Sequence, residues 1–367
     1  MNDIPQACIA RSPVTRRRDG KVGVGIVGAG IVSGGYLEFF SQNARTELCA
    51  VAEINSAVRD SVAKSYAPRL LTDDFECLIK SKQVDLVVVC TPHDLHYPVV
   101  MAALGSGKHV LCEKSLAKSV RESDEMLDAA YANGARLFAS HNMRFGARII
   151  TLKEIIENGS LGRPFLAEFS YLGNEVARMS DLDNWKCDLK RAGGGVLLDG
   201  GCHMTDVLNA CFGRATTVQA LGGRLVVAAP NKGEDNAVVL IEYDSGVLAQ
   251  LTASFTVSNV GGPGLILGMN VFGTGGSVFS TYNSHGLQEY MEVYRVEGKE
   301  LIDLSKVAVP DKNQHFLDCL LTGREPLVTA LDARNAVAVV EAAYESMRTG
   351  RRVEVDWRNA PAGSVHA

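Results

Sequence analysis

From residue 21 the chain alternates between short apolar runs and segments whose apolar residues recur at helical spacing. KVGVGIV (21–27) has the make-up of a strand, GGYLEFFSQN that of a helix, and LCAVAEI (48–54) that of a second strand. VDLVVVCTP (84–92) is continuously apolar, as a strand covered on both faces is, and Pro92 ends it. DLHYPVVMAALGSG predicts a helix stopped by glycine, KHVLCEKS (108–115) a strand, SVRESDEMLDAAYANG a helix stopped at Gly134, and RLFASHNMRF (136–145) a further strand. Strands alternating with helices predict an α/β domain with a doubly wound parallel sheet over residues 21–145.

The pattern then changes. VQALGGRLV, NAVVLIEYDSG, GVLAQLTASFTVS and MNVFGTGGSVFSTY are β-branched alternating runs separated by glycine turns, which predicts a separate sheet domain within 146–355. Gly273, Gly275 and Gly276 precede another β-rich run, so a hairpin turn is expected there rather than a second phosphate loop. A scaffold helix is expected over 330–348, N-capped by Thr329, stopped by Gly350 and able to pack on the first domain. Residues 1–20, with the Arg16–Arg18 cluster, read as a flexible solvated extension, and 356–367 as a tail.

Composition narrows the classes. The 367 residues suffice for two domains, and 46% hydrophobic content is enough to build their cores. A formal charge of −5 gives no electrostatic reason for a nucleic-acid partner. No stretch approaches the roughly 20 apolar residues of a membrane span. The nine cysteines are odd in number and lack any Cys-x-x-Cys spacing, so buried free thiols and a cytoplasmic location are expected.

The first strand runs into Gly28-Ala29-Gly30-Ile31-Val32-Ser33, then a helix, a strand and Glu53, 25 residues after Gly28. This is the context of a dinucleotide fingerprint: glycines let a pyrophosphate approach, and the helix N-terminus faces its charge. Ser33 replaces the third glycine, where a small residue serves packing. Glu53 suits a ribose 2′-hydroxyl and should repel a 2′-phosphate, which favours NAD over NADP. Ligands bind at the carboxyl ends of such strands. Thr91, Pro92, Glu113, Lys114, Asn142 and Arg144 fall there, with His93 and His96 opening the next helix. Further on, GGGVLLDGGCHMTDVL places Asp199 and His203 four residues apart, on one face if the segment is helical. The two could perform proton chemistry, bind a metal with His141 or His96, or satisfy each other as a structural pair. No third ligand lies at a diagnostic spacing, so no metal is expected.

Together, GIVGAGIVSGGYL, TPHDLHYPVVMAALGSGKHVLCEKSLAKS, LKEIIENGSLGRP, NWKCDLKRAGGGVLLDGGCHMTDVL, FGTGGSVF and LDARNAVAVVEAAYESMRTGRRVEV resemble the family of glucose–fructose oxidoreductase, inositol dehydrogenase and MocA (Gfo/Idh/MocA) across residues 21–355. The resemblance implies a Rossmann domain followed by an α+β domain on a large open, mostly antiparallel sheet. That sheet would form a homodimer or homotetramer. It implies catalysis by Lys114, Asp199 and His203: the histidine takes a hydroxyl proton, the lysine binds the substrate oxygen, and the aspartate holds substrate and imidazole. Glu113 would pack beside the cofactor or fix Lys114. His93 would reach the nicotinamide side or cap its helix, and His96 would anchor that helix beside the cofactor site. The family's Glu-Lys-Pro is here Glu113-Lys114-Ser115, which leaves the lysine without the proline's fixed backbone.

The expected activity is an NAD-dependent oxidation of a secondary hydroxyl on a sugar, sugar derivative or cyclitol. The alternatives are a redox-neutral glycoside-cleaving or epimerising enzyme with tightly held NAD, and a non-catalytic dinucleotide sensor. Tyr171, Asn174, Arg178 and Tyr282 are candidate substrate contacts, and Trp185 lines either the cleft or a core.

Overall fold

The computed structural model describes residues 20–227, 233–258, 264–283 and 290–360. The expected extension over 1–20, apart from Gly20, and the tail beyond Ala360 lie outside the described residues.

The first sheet is assembled from β1 (Val22–Val27), β2 (Thr46–Ala52), β3 (Leu70–Thr72), β4 (Leu86–Val89), β5 (His109–Glu113) and β6 (Leu137–Ser140). Their order is β3-β2-β1-β4-β5-β6 and every pairing is parallel. The crossovers are α1 (Gly34–Gln42), α2 (Ser56–Tyr66), α3 (Phe75–Lys80), α4 (His93–Gly105) and α5 (Val120–Ala132). β1 and β4 are buried at every position, which explains their unbroken apolar sequence. The order reverses between β1 and β4, so the carboxyl ends of these strands open on the crevice where such sheets bind ligands.

Residues 136–145 are not one strand. β6 ends at Ser140, and Asn142–Phe145 coil into a 3-10 turn. The turn sends neighbouring side chains to different partners: Phe145 packs edge-on against Phe316, and Arg144 reaches Asp206.

After α6 (Ala147–Glu157) the second sheet begins with β7 (Pro164–Gly173). The short helices α7 (Val176–Ser180) and α8 (Leu189–Ala192) and the longer α9 (Cys202–Phe212) follow. Then come β8 (Ala215–Gly223), β9 (Asn236–Tyr243), β10 (Leu248–Ser254), β11 (Leu265–Gly273), β12 (Gly276–Asn283), β13 (Tyr290–Arg295) and β14 (Gly298–Asp303). The chain closes with α10 (Lys312–Thr322), α11 (Ala330–Thr349) and β15 (Val353–Glu354). The nine strands run β14-β13-β12-β11-β7-β10-β9-β8-β15, with β7 and β10 parallel and the other pairs antiparallel. The expected hairpin at Gly273–Gly276 joins β11 to β12. Thr329 caps α11 through a reciprocal bond with Asp332, and Gly350 ends it.

Two late helices pack across the division at residue 146. Phe316, Leu317 and Leu320 of α10 share a core with Val22, Tyr36 and Phe40, so this late helix covers the first sheet. α11 spans both units: Ala330 and Ala333 join the first domain's core, and Val337–Val340 join the second. Its Arg334, 2% exposed, donates two bonds to Asp124 of α5 at 2.9 and 3.0 Å.

Candidate active site

The glycine-rich segment before α9 is a strap held by its neighbours. A Cβ on Gly195 would lie 1.9 Å from the carbonyl oxygen of Glu234, so only glycine permits the approach. The Glu234 carboxylate accepts bonds from the backbone N–H of Gly195 (3.0 Å) and Leu197 (2.8 Å). Leu197–Gly201 then form a π-type turn that leads into α9 and carries Asp199.

Asp199 meets two lysines. Lys114 Nζ, at the end of β5, donates to the Asp199 carbonyl oxygen (2.6 Å) and to Oδ1 (2.7 Å). Lys186 Nζ donates to Oδ2 at 2.6 Å. Burial opposes the aspartate's charge, but Lys114 and Lys186 outweigh it and hold the carboxyl well below its usual range. For Lys114 the same balance runs the other way: burial disfavours the ammonium, and Asp199 more than restores it.

His203 is 7% exposed, and its ring lies 6.4 Å from that of Tyr171, nearly parallel. Burial, then Lys114 and His141, push its pKa well below the ordinary value, so the ring is neutral. Among the described residues its buried Nδ1 has no hydrogen-bond partner, while both Asp199 oxygens are taken by lysines. The reading of the two as a mutually satisfied structural pair therefore fails. Among the described residues no group of three His, Cys, Asp or Glu side chains is arranged to hold a metal.

The residues expected to hold a cofactor differ in their surroundings. Gly28 has φ +86°, and a Cβ there would lie 2.8 Å from the Cys90 carbonyl oxygen, so the fold itself requires glycine. Gly30 has an ordinary φ of −71°, and its Cβ would meet nothing within 4 Å. Its glycine leaves open space, which fits the approach of a phosphate. Ile31 is fully exposed, and Val32 and Ile54 are exposed too, apolar side chains of the kind an adenine face packs on. Ile54 was not among the sequence candidates. The Glu53 carboxylate accepts from the Ala29 N–H (2.7 Å) and the Asn55 N–H (2.8 Å), which pins it to the glycine loop.

Thr91 Oγ1 is buried without a partner among the described residues, and Pro92 stands at the N-cap of α4. His93 Nδ1 lies 2.8 Å from the Ala192 carbonyl oxygen, and burial, with His96, brings its pKa to about 3. The neutral ring therefore carries its hydrogen on Nδ1 and keeps Nε2 as an acceptor. His96 requires a correction. It is fully buried between the carbonyl oxygens of Ser115 (2.7 Å) and Thr91 (3.0 Å), so it presents no surface to a cofactor. Glu113 accepts a bond from the Tyr36 hydroxyl, with Lys312 Nζ 3.6 Å away, and Asn142 is exposed on its turn. The Lys114–Ser115 peptide is cis, and Ser115 Oγ donates to the Leu198 carbonyl oxygen at 2.6 Å. The serine thus ties the lysine's strand end to the strap that carries Asp199.

Beside Asp199 opens a narrow cleft lined by His93, Arg178, Met179, Trp185, Lys186 and Phe255. Arg178 pairs with Glu175 at 3.0 Å, and Asn174 accepts from the Val176 N–H at 3.4 Å. Tyr282 lies in the register row of Tyr171, two strands further out. Lys186 escaped the sequence reading because nothing local marks a lysine 13 residues before Asp199 as its partner.

Residues 22–141 match the description "Oxidoreductase family, NAD-binding Rossmann fold", and residues 153–355 match "Oxidoreductase family, C-terminal alpha/beta domain". The chain is 27% identical to the D-glucoside 3-dehydrogenase of Escherichia coli, over 90% of this chain and 97% of that protein. It is also 27% identical to the myo-inositol 2-dehydrogenase of Thermotoga maritima, over 91% and 98%. A solved levoglucosan dehydrogenase, in complex with NADH, has the same fold, with a TM-score of 0.80 at 20% identity over 92% of this chain and 100% of that one.

Proposed function

Because the chain belongs to the Gfo/Idh/MocA oxidoreductase family, we propose that it oxidises a secondary hydroxyl of a sugar, sugar derivative or cyclitol to a ketone. The observation that carries this reading is the meeting of Lys114, Asp199 and a neutral His203 at the carboxyl end of β5. The names of the glucoside and inositol relatives support the substrate class.

The chemistry follows from protonation states. A neutral imidazole accepts a proton, so His203 is the base for the substrate hydroxyl. Lys114 stays charged and spends two N–H groups on Asp199, which leaves the third for the substrate oxygen. Lys186 neutralises the other carboxylate oxygen, so Asp199 positions Lys114 without cancelling its charge. Gly28, Gly30, Ile31, Val32 and Glu53 would hold NAD, with Thr91, Pro92 and His93 nearer the reacting end. The bound nicotinamide supplies the acceptor for the substrate's hydride.

The test is absorbance at 340 nm with a panel of free sugars, sugar acids, cyclitols and glycosides. NAD should be reduced with at least one of them, and about tenfold or more faster than NADP, since Glu53 repels a 2′-phosphate. NAD that copurifies with the protein, and product formed without net reduction, would sink the dehydrogenase reading.

The outer face of the second sheet supports a homo-oligomer. Leu240 on β9 and Leu248 on β10 are exposed on that face, with Phe279 and Leu301 exposed further along the sheet. Apolar area of this kind favours a second copy. The Leu240→Asp, Leu248→Asp double variant should run as a monomer in sedimentation, where the wild type runs as a dimer or tetramer. A wild type that sediments as a monomer refutes the assignment.

A further inference from the structure

We propose that the proton His203 takes from the substrate is passed inward, from Nδ1, into a buried polar pocket in which His141 is the bridge and Asp206 the receiving group. The proposal rests on the dehydrogenase reading for the source of the proton and on geometry for its path. His203 and Asp206 are three residues apart on α9 and share a face. His141, just past the end of β6, places its ring 5.9 Å from that of His203, edge to face. Its Nδ1 is 3.9 Å from Asp206 Oδ2.

The hydrogen bonding of this pocket is incomplete in protein terms. His203 Nδ1, both nitrogens of His141 and Asp206 Oδ2 are buried, and none has a partner among the described residues. An unpaired buried polar atom is costly, so four such atoms in one cluster mark a place for bound water, which hydrogen-bonds to such groups. A plain structural ion pair would direct both Asp206 oxygens at Arg144. Instead Arg144 Nη1 reaches only Oδ1, at 3.3 Å, and Nη2 donates to the Leu327 carbonyl oxygen at 2.9 Å. Oδ2 is left facing His141.

The electrostatics suit the direction. Asp206 faces Arg144 from the turn after β6 and Asp332 from the first turn of α11. Burial raises its carboxyl, Arg144 opposes, and Asp332 adds, to about 7. It can therefore bind a proton near neutrality. His141 faces Arg144, Lys114, Glu113 and Asp332, and burial with Arg144 brings its pKa to about 3, so it relays as a neutral ring. His203 itself faces Lys114, His141, Asp199 and Lys186.

The step balances. The C–H bond breaks and its hydride, with both electrons, goes to NAD. The O–H proton goes to Nε2 of His203, and the Nδ1 proton leaves through water and His141 to Oδ2 of Asp206. The products are the ketone, NADH and one proton held on Asp206, which returns to solvent as the ring resets its tautomer.

The test uses the full-length protein with NAD bound and its histidines labelled with nitrogen-15. In the wild type, the His203 and His141 nitrogens should both report an inflection near pH 7, with His203 carrying its hydrogen on Nδ1. In Asp206→Asn the inflection should vanish. A flat wild-type profile, or an inflection that survives in Asp206→Asn, overturns the relay. With whichever polyol of the panel is oxidised, Asp206→Asn should lower kcat about 100-fold and remove the acid limb near pH 7, with KM changed less than about threefold. His141→Gln should lower kcat about tenfold. It serves as the second variant should Asp206→Asn misfold. Unchanged kcat in a folded variant also overturns the proposal. If no polyol is oxidised, the dehydrogenase reading falls, and the histidine titration still decides whether the pocket is coupled.

Discussion

Replacing Lys114 with methionine should lower kcat/KM about 1,000-fold while NAD affinity stays within about threefold. The magnitude is that of removing one donor aimed at developing oxyanion charge, about 100- to 1,000-fold, with the loss of ground-state orientation added. Lys114 is held by two bonds to Asp199, at its carbonyl oxygen and Oδ1, and stays charged despite its burial. Methionine keeps the length and the apolar contacts of the stem but donates nothing. Asp199 keeps its bond to Lys186, so the strap should remain in place and the loss should fall on the chemical step. Steady-state rates with the substrate found at 340 nm, set beside NAD titration by tryptophan fluorescence, separate the two effects. A fall in NAD affinity large enough to account for the lost rate would move Lys114 from the substrate to the cofactor.

The second large effect concerns stability. Asp124→Ala should cost about 2–3 kcal/mol at neutral pH, read from urea unfolding. The carboxylate takes two bonds from Arg334, whose guanidinium is 2% exposed, and a third from Arg358 at 2.8 Å. Without it, a buried cation keeps, among the described residues, Asp356 and Asn335 as partners. Burial works against the Asp124 charge, but the bonds from Arg334 and Arg358 outweigh it and lower its pKa. A carboxyl lowered in the folded state stabilises above its unfolded pKa of about 4 and loses that contribution as pH falls through its folded value. The gap between wild type and variant should therefore be full at pH 7 and shrink below about pH 4. A gap unchanged at low pH would assign the loss to packing. Because this contact joins α5 to α11, which also packs in the second core, the two sheets should unfold closer to independently in the variant.

Much of the frame was legible in the chain because its causes are local. A short β-rich run marked β1, a continuous apolar run marked β4, and alternation marked strands β8 to β12. Gly28 sits at a tight turn with a left-handed backbone, and Thr329 and Gly350 bound α11 through neighbours a few residues away. The catalytic roles expected of Lys114, Asp199 and His203 came from the resemblance alone. Periodicity alone left Asp199 and His203 open between base, metal site and structural pair.

What the chain determined by itself is the succession of elements and the residues that stand at strand ends, since φ preference, capping and period act within a few residues. Tertiary structure alone decided which of those residues have surface to offer. It buried His96 between two carbonyls, brought α10 back over the first sheet, and tied Ser115 to Leu198 across 83 residues. It also gave Asp199 a second lysine and placed His141 against His203 and Asp206. Such contacts depend on side-chain direction and on burial, which raises the energetic stakes of every unpaired charge, and neither is written in local spacing.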